Sequence, residues 1–354
     1  MESSQSNGET ALVETPSSLT AQDSSLATDS QQQIPPHLSH DPENSLKRSD
    51  PFQFGSRLLS QEDNVFEFNA WDHVETDDTY KEYAELQYAK QREAPVSDFD
   101  KSRFNSDPAK WWNNFYKNNT ANFFKDRKWL QQEFPILSEI TKPDAGPTTL
   151  LEVGAGAGNT AFPILKHNQN PNLKIHACDF SKKAVEVIRE NEAYDTKTIQ
   201  ADVWDAANET LPPGLQEGTV DVVLMIFIFS ALSPSQWNQA MHNIYRVLKP
   251  GGEVLFRDYG RGDLAQVRFK KGRYLEENFY IRGDGTRVYF FEKDELIKIW
   301  TGKGTEDAGG SSTGFEIVNL GVDRRLLVNR AKQLKMYRCW MQGRFRKQEK
   351  PVPG

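Results

Sequence analysis

Apolar and polar positions divide the chain into a polar N-terminal stretch, an aromatic-rich middle, and a series of short apolar runs beyond a turn at residues 144–148. Leu150–Val153 is apolar but for Glu152 and runs into Gly154, Gly156 and Gly158; Thr160–Lys166 behind them reads as the start of a helix. Lys174–Cys178 predicts a second strand ending at Asp179, and Ser181–Asn191 a helix with Ser181 as its N-cap. Lys197–Ala201 predicts a third strand ending at Asp202. Val220–Phe229 is almost continuously apolar, the pattern of a central parallel strand covered on both faces. Gln236–Leu248 predicts a helix, Lys249–Gly252 a turn and Glu253–Asp258 another strand. Strands alternating with helices in this way predict an α/β domain around a mostly parallel sheet.

Upstream the pattern differs. Residues 1–50 are Ser, Gln, Thr, Pro and acidic residues, too poor in apolar surface to offset the entropy of ordering, and predict a disordered tail. Phe52, Phe54, Val65, Phe66, Phe68, Trp71 and Val74 then appear among polar residues, either as core or as an arm that packs on the following domain or touches its substrate. Tyr80, Tyr83, Ala84, Gln87 and Tyr88 recur at helical spacing and predict a helix to Arg92, ended by Pro95. Asp107 followed by Pro108 predicts a capped helix start, with Trp111, Trp112, Phe115 and Tyr116 on that helix. Phe123, Phe124 and Trp129 mix with Lys125, Arg127 and Lys128, which suits either phosphate and base contact or an ordinary amphipathic helix. The expected organisation is a tail at 1–50, an N-terminal arm and capping segment at 51–140, and the α/β domain at 141–350, interrupted by a mobile Gly- and Ser-rich loop at 303–313.

Composition narrows the classes. Only Cys178 and Cys339 occur in 354 residues, so neither a disulfide scaffold nor a four-cysteine zinc site is expected, and a reducing compartment is. No apolar run of transmembrane length is present, and the first 46 residues lack Lys and Arg, which predicts a cytoplasmic protein without a membrane anchor. The formal charge of -7 is unevenly spread: residues 1–256 hold 22 basic and 37 acidic side chains, whereas residues 257–354 hold 21 basic and 13 acidic ones. A basic C-terminal part on an acidic chain points to a localised anionic partner.

The glycine stretch carries the chemistry. A strand, a glycine turn and a helix form a nucleotide-binding corner, and Asp179, 21 residues beyond Gly158, suits the hydroxyls of an adenosine ribose, with Asp202 facing the adenine. Glycines at alternate positions depart from the dinucleotide spacing, and Glu152 beside them repels phosphate while suiting a sulfonium and its amino group. The order of glycines, Asp179, Asp202, long strand and Pro-Gly-Gly turn resembles a class I S-adenosylmethionine-dependent methyltransferase.

Longer motifs are more specific. Trp112–Tyr116 with Phe123–Leu130, Ala177–Ser181, Ile226–Leu232, Phe256–Gln266, Tyr280–Arg287, Arg324–Arg330 and Met336–Arg338 together resemble the tRNA N3-methylcytidine methyltransferase family, and Val65–Asp72 resembles its threonine-tRNA branch. The resemblance covers about residues 60–347. It implies a Rossmann-like fold with a seven-stranded, mostly parallel sheet flanked by helices, S-adenosyl-L-methionine as cofactor, and cytidine 32 of the anticodon loop of threonine and serine tRNAs as acceptor. An aminoacyl-tRNA synthetase as partner also follows from it. It implies that Trp112 and Tyr116 close over the cofactor and that Gly154, Gly156, Asp179, Phe180, Asp202 and Ile226 complete its pocket, with Thr160 nearby.

Cytosine N3 has a free lone pair, so the reaction needs alignment and electrostatic support more than a strong base. Asp258 is expected to stabilise the charged methylcytosine or orient its amino group and Tyr259 to stack on it, the alternative for Asp258 being a salt bridge to Arg257 or Arg261. Lys125, Arg127, Arg261, Arg268, Arg282, Arg287, Arg324, Arg325, Arg330 and Arg338 are the candidates for contacting the anticodon stem-loop. Two other readings remain open at this stage: a methyltransferase acting on protein or a small molecule, and a catalytically silent RNA-binding subunit.

Overall fold

The computed structural model describes residues 57–121, 123–302 and 314–348; the tail at 1–50 and the loop at 303–313 lie outside the described residues. The N-terminal segment supplies β1 (Ala70–Asp72), α1 (Asp78–Arg92), α2 (Asp98–Ser106), α3 (Pro108–Asn119) and the short turns of helix α4 (Leu130–Glu133) and α5 (Ile136–Ile140). Three starts follow the capping rule: Asp77 accepts from the Tyr80 amide (2.7 Å), Ser97 from the Asp100 amide (3.1 Å) and Asp107 from the Lys110 amide (3.1 Å). Beyond α3 the aromatic-basic stretch is turn and bend up to Trp129 and not an amphipathic helix.

The alternating part gives β2 (Thr148–Val153), α6 (Ala161–Lys166), β3 (Leu173–Asp179), α7 (Lys182–Arg189), β4 (Ile199–Val203), β5 (Val220–Ile226), α8 (Pro234–Val247) and β6 (Leu248–Tyr259). Next come α9 (Leu264–Val267), β7 (Tyr274–Glu276), β8 (Phe279–Ile281), β9 (Arg287–Tyr289), α10 (Lys293–Thr301), β10 (Glu316–Asn329) and β11 (Leu334–Arg346). The main sheet runs β1-β10-β11-β6-β5-β2-β3-β4. From β4 to β6 neighbours are parallel, and β11 and β10 add antiparallel strands, which makes the seven. The eighth, β1, is the arm's own strand, paired antiparallel to β10. Strands β7, β8 and β9 form a separate three-stranded sheet.

The parallel strands are buried because helices cover both faces: Leu150, Leu151, Val223, Leu224, Met225, Val254, Leu255 and Phe256 are fully enclosed. Each such side chain contributes about 1.5–3 kcal/mol relative to exposure. Phe52 and Phe54 lie outside the described residues; Phe66, Phe68 and Trp71 are core at the sheet edge, where Trp71 packs with Leu326, Val328 and Tyr337. Helix α1 is tied to α9 by Tyr88 Oη, which donates to Gln266, and by Gln91 Nε2, which donates to the carbonyls of Gln266, Val267 and Phe269. The long apolar run does not stay extended. Strand β5 stops at Ile226, Phe227 turns left-handed (φ 61), and Phe229–Ala231 forms a 3-10 turn. Strand order reverses between β2 and β5, which places a crevice at their carboxyl ends.

Candidate active site

Three glycines leave β2 with positive φ: Gly154 at 68°, Gly156 at 59° and Gly158 at 83°. All three are also required by neighbours, a Cβ on Gly158 meeting the Phe162 ring at 2.5 Å. A Cβ on Gly154 meets Ile228 at 2.8 Å, and one on Gly156 meets the Tyr116 hydroxyl at 2.5 Å. The Gly156 amide donates to Asp179 Oδ2 (2.8 Å), and the Ser181 amide donates to Asp179 Oδ1 (2.8 Å). Burial pushes the Asp179 acid up to about 6, and those two donors restrain the rise. Helix α3 lies over this corner. Its Trp112 and Tyr116 rings stack at 6.2 Å, and Asn113 Oδ1 accepts from Ser181 Oγ (2.8 Å) and the Lys183 amide (3.2 Å), pinning α3 to the start of α7.

A cavity of about 580 Å³ opens at the carboxyl ends of β2, β5 and β6. Trp112, Tyr116, Gly154, Gly156, Asp179, Phe180 and Ile226 line it, so the structure brings together seven of the eight predicted cofactor residues. The eighth, Asp202, does not line it. Its carboxylate is taken by Arg189 Nη2 (3.0 Å) and Gln200 Nε2 (2.7 Å), and Trp204, Asp205 and Ala206 in the following loop form that wall. Asp205 lies in the loop beyond the strand end, where strand patterning gives no signal.

Glu152 also sits differently from expectation. It is 1% exposed and does not face the cavity; Arg127 Nη1 approaches it at 3.7 Å. Burial pushes its acid up to about 7, with Arg127 the strongest opposing influence. The Thr160 hydroxyl and Ala161 amide lie near enough to favour its charge, yet neither carboxylate oxygen has a well-aligned hydrogen-bond donor. Arg127, predicted to contact RNA, instead reaches inward: Nη1 donates to Thr160 Oγ1 (2.7 Å) and its guanidinium lies 5.9 Å from the Phe227 ring centre. A buried carboxylate attracts a cation more strongly than solvent-screened phosphate does.

At the other end the cavity is aromatic and basic. Tyr259 lines it, with its ring 5.0 Å from Phe227, 5.7 Å from Phe290 and 5.5 Å from the Arg282 guanidinium. Asp258 lies beneath, fully buried and outside the cavity lining. Its Oδ2 accepts from the Ser230 amide (2.9 Å) and its Oδ1 from the Tyr259 amide (2.8 Å); burial pushes this acid up to about 6. The alternative salt-bridge partners are engaged elsewhere. Arg257 Nη2 binds Asp323 Oδ2 (2.6 Å), and Arg261 binds Glu85 (3.2 Å) and Glu292 (3.1 Å). Asp258 therefore ties the turn after β5 to the end of β6.

The predicted RNA-contacting residues divide. Lys125, Arg268, Arg282, Arg287 and Arg338 line the cavity with Arg127. Arg287 is buried, donating to Asn105 (3.1 Å) and Gln236 (2.9 Å), and burial pushes its guanidinium down to about 10. Arg338 pairs with Asp263 (2.8 Å). Arg324 and Arg330 are exposed away from the cavity, with Arg330 Nη1 donating to the Glu67 carbonyl (3.2 Å). Arg261 and Arg325 do not line the cavity, and both are held by carboxylates, Arg325 by Asp72 (3.4 Å), Asp323 (3.2 Å) and Glu133 (3.9 Å). Sequence spacing does not show which carboxylates the fold brings to an arginine.

A methyltransferase-domain family model matches residues 151–254, from β2 into β6. Over 302 residues the chain is 53% identical to the tRNA(Thr) (cytosine(32)-N(3))-methyltransferase of Saccharomyces cerevisiae, an alignment covering 85% of this chain and 46% of that one. It is 51% identical over 294 residues to a tRNA N(3)-methylcytidine methyltransferase of Schizosaccharomyces pombe, covering 83% of this chain and 92% of that one. A Drosophila melanogaster tRNA N(3)-methylcytidine methyltransferase is 43% identical over 307 residues, covering 86% and 91%. The chain thus spans less than half of the Saccharomyces relative and most of the other two.

Proposed function

The chain belongs to the tRNA N3-methylcytidine methyltransferase family, and from that premise we propose that it methylates N3 of cytidine 32 in the anticodon loop of threonine tRNAs, with S-adenosyl-L-methionine as methyl donor. The observation that carries this reading is the cavity itself. One continuous space runs from the glycine corner beneath Trp112 and Tyr116 to an aromatic and arginine-rich chamber around Tyr259 and Arg282. A methyl donor and a flat, phosphate-tethered acceptor need those two ends side by side.

The cofactor end fits its group. Asp179 spends one lone pair of each oxygen on backbone donors, and a carboxylate keeps further acceptor sites for ribose hydroxyls. Ile226 and Trp112 offer apolar walls, and Arg127 lines the same end, held in place by the buried Glu152 behind it. Bound S-adenosylmethionine supplies an electrophilic methyl on a sulfonium. The chain's task is then alignment. Cytosine N3 needs no base to remove a proton, so none of Asp179, Glu152 or Asp258 has to act as one. The acceptor base has to leave its loop stack to reach the cavity, and aromatic faces compensate the lost stacking. Asp258 holds the Ser230 and Tyr259 amides, and so the floor under the base. Exposed Lys125 and Arg268 at the mouth, with half-buried Arg282, suit the phosphates on either side.

An aminoacyl-tRNA synthetase as helper and a cytoplasmic location belong to the same proposal; no helix among the described residues is long and apolar enough to cross a membrane. Transfer of labelled methyl from the cofactor to threonine tRNA, to bulk protein and to small-molecule extracts tests it. Label in tRNA alone is expected, with or without added synthetase, and label confined to protein or small molecules contradicts it.

A further inference from the structure

Five non-glycine residues among the described residues have positive φ, and Phe227 is the one among them that lines the cavity. Left-handed backbone is unfavourable for a side chain with a Cβ and persists where the surroundings dictate it, typically at ligand sites. Three contacts dictate it here. The Phe227 amide donates to the Arg257 carbonyl (2.8 Å), Ile228 seats on the bare face of Gly154, and the Ser230 amide is held by Asp258. The apolar run of β5 could continue as strand, yet the chain turns. The turn brings the Phe227 ring to 5.9 Å from the Arg127 guanidinium and 5.0 Å from the Tyr259 ring, inclined 45° to it. Phe227 ends β5, next to the glycine turn that ends β2, so its ring borders the cofactor corner across the strand-order reversal. Tyr259 is half-buried like Phe227 and is flanked by Phe227, Phe290 and the Arg282 guanidinium, on backbone without the left-handed turn.

We propose that Phe227 is the face on which the acceptor cytosine stacks, and that the left-handed backbone at Phe227 exists to aim that face beside the methyl donor. The assignment rests on the function proposed above. A flat ring serves both states of the acceptor: it stacks on the neutral base and its π-face attracts the cation that methylation creates.

The test compares turnover of threonine tRNA by the full chain carrying Phe227→Leu or Phe227→Tyr. Phe227→Leu is expected to lower kcat at saturating cofactor by about tenfold or more. Cofactor affinity measured by calorimetry stays at the wild-type value, and Phe227→Tyr, which keeps the ring, restores turnover. Wild-type turnover by Phe227→Leu overturns the assignment. So does a parallel fall of turnover, cofactor affinity and melting temperature in both variants, since that marks a structural role. A second measurement needs no variant: an anticodon stem-loop with 5-iodocytidine at the acceptor position, irradiated on the wild-type chain, is expected to crosslink to the peptide holding Phe227. Crosslinking confined to other residues overturns the assignment. Failure of the wild-type chain to methylate any tRNA contradicts the proposed function, whereas an active wild type with an equally active Phe227→Leu contradicts only the role of Phe227.

Discussion

At the residue scale, Gly156 and Asp179 are the most exacting positions of the cofactor corner. Alanine at Gly156 has to adopt φ near 59° and displace the Tyr116 hydroxyl. The backbone alone costs about 1–2 kcal/mol, roughly a tenfold loss of cofactor affinity if it falls on the bound state. Calorimetry is expected to show that loss for Gly156→Ala, and Tyr116→Phe in the same background is expected to recover part of it by making room. Unchanged affinity in Gly156→Ala contradicts the interlock. Asp179 predicts a pH dependence. Burial raises its folded-state acid to about 6, above the unfolded value, so the stability it contributes is present at low pH and is lost as pH rises through about 6. Ribose hydroxyls favour the ionised form, so cofactor affinity is expected to rise across that same interval. Asp179→Asn is expected to bind weakly and to lose the step near 6, leaving any contribution of Glu152 near 7. An identical pH profile in Asp179→Asn would falsify this role.

At the scale of elements, α3 acts as a cover held by Phe115 and Tyr116 packing on Ala157 and Ala184 and by one polar side chain. Asn113 accepts two hydrogen bonds from the start of α7, and Asn113→Ala removes them at a cost of about 1 kcal/mol. The expected result is a cofactor KM raised roughly fivefold with kcat retained, because the cover loosens while the acceptor chamber is untouched. A lowered kcat at unchanged KM contradicts that separation. Strands β10 and β11 behave differently from expectation. Their basic residues read as one RNA surface, but Arg325 is spent on Asp72, Asp323 and Glu133, which join β1 and α4 to the sheet. Arg325→Ala is therefore expected to lower the melting temperature without flattening the salt dependence of tRNA binding. The β10–β11 hairpin itself was not legible in the sequence. Charged residues interrupt its period of two, and one face is only half covered. The parallel strands were legible, because burial on both faces forces continuous apolar runs such as Val220–Ile226. The turn at Phe227 was not, since nothing in an apolar run announces a positive φ.

At the scale of the whole molecule, the glycine corner, Asp179 and the covering aromatics were readable because each uses a residue type that few other roles demand. The partners of Asp202, Arg127 and Arg325 were not readable for one shared reason: a charged side chain goes to whichever opposite charge the fold brings within reach, and that depends on tertiary contacts. The acidic N-terminal part and basic C-terminal part still define a polarity, now narrowed to side chains at the cavity mouth. Lys125→Ala with Arg268→Ala is expected to reduce the salt slope of tRNA binding by about 0.7–0.9 per lost phosphate contact. An unchanged slope places the RNA elsewhere. The central claim is tested most directly by locating the methyl group. Threonine tRNA treated with the chain and S-adenosylmethionine, digested to nucleosides and weighed, is expected to yield N3-methylcytidine, with a reverse-transcription stop at position 32 that vanishes when cytidine 32 is replaced by uridine. Methylation that survives that replacement, or that falls on another atom, contradicts the account.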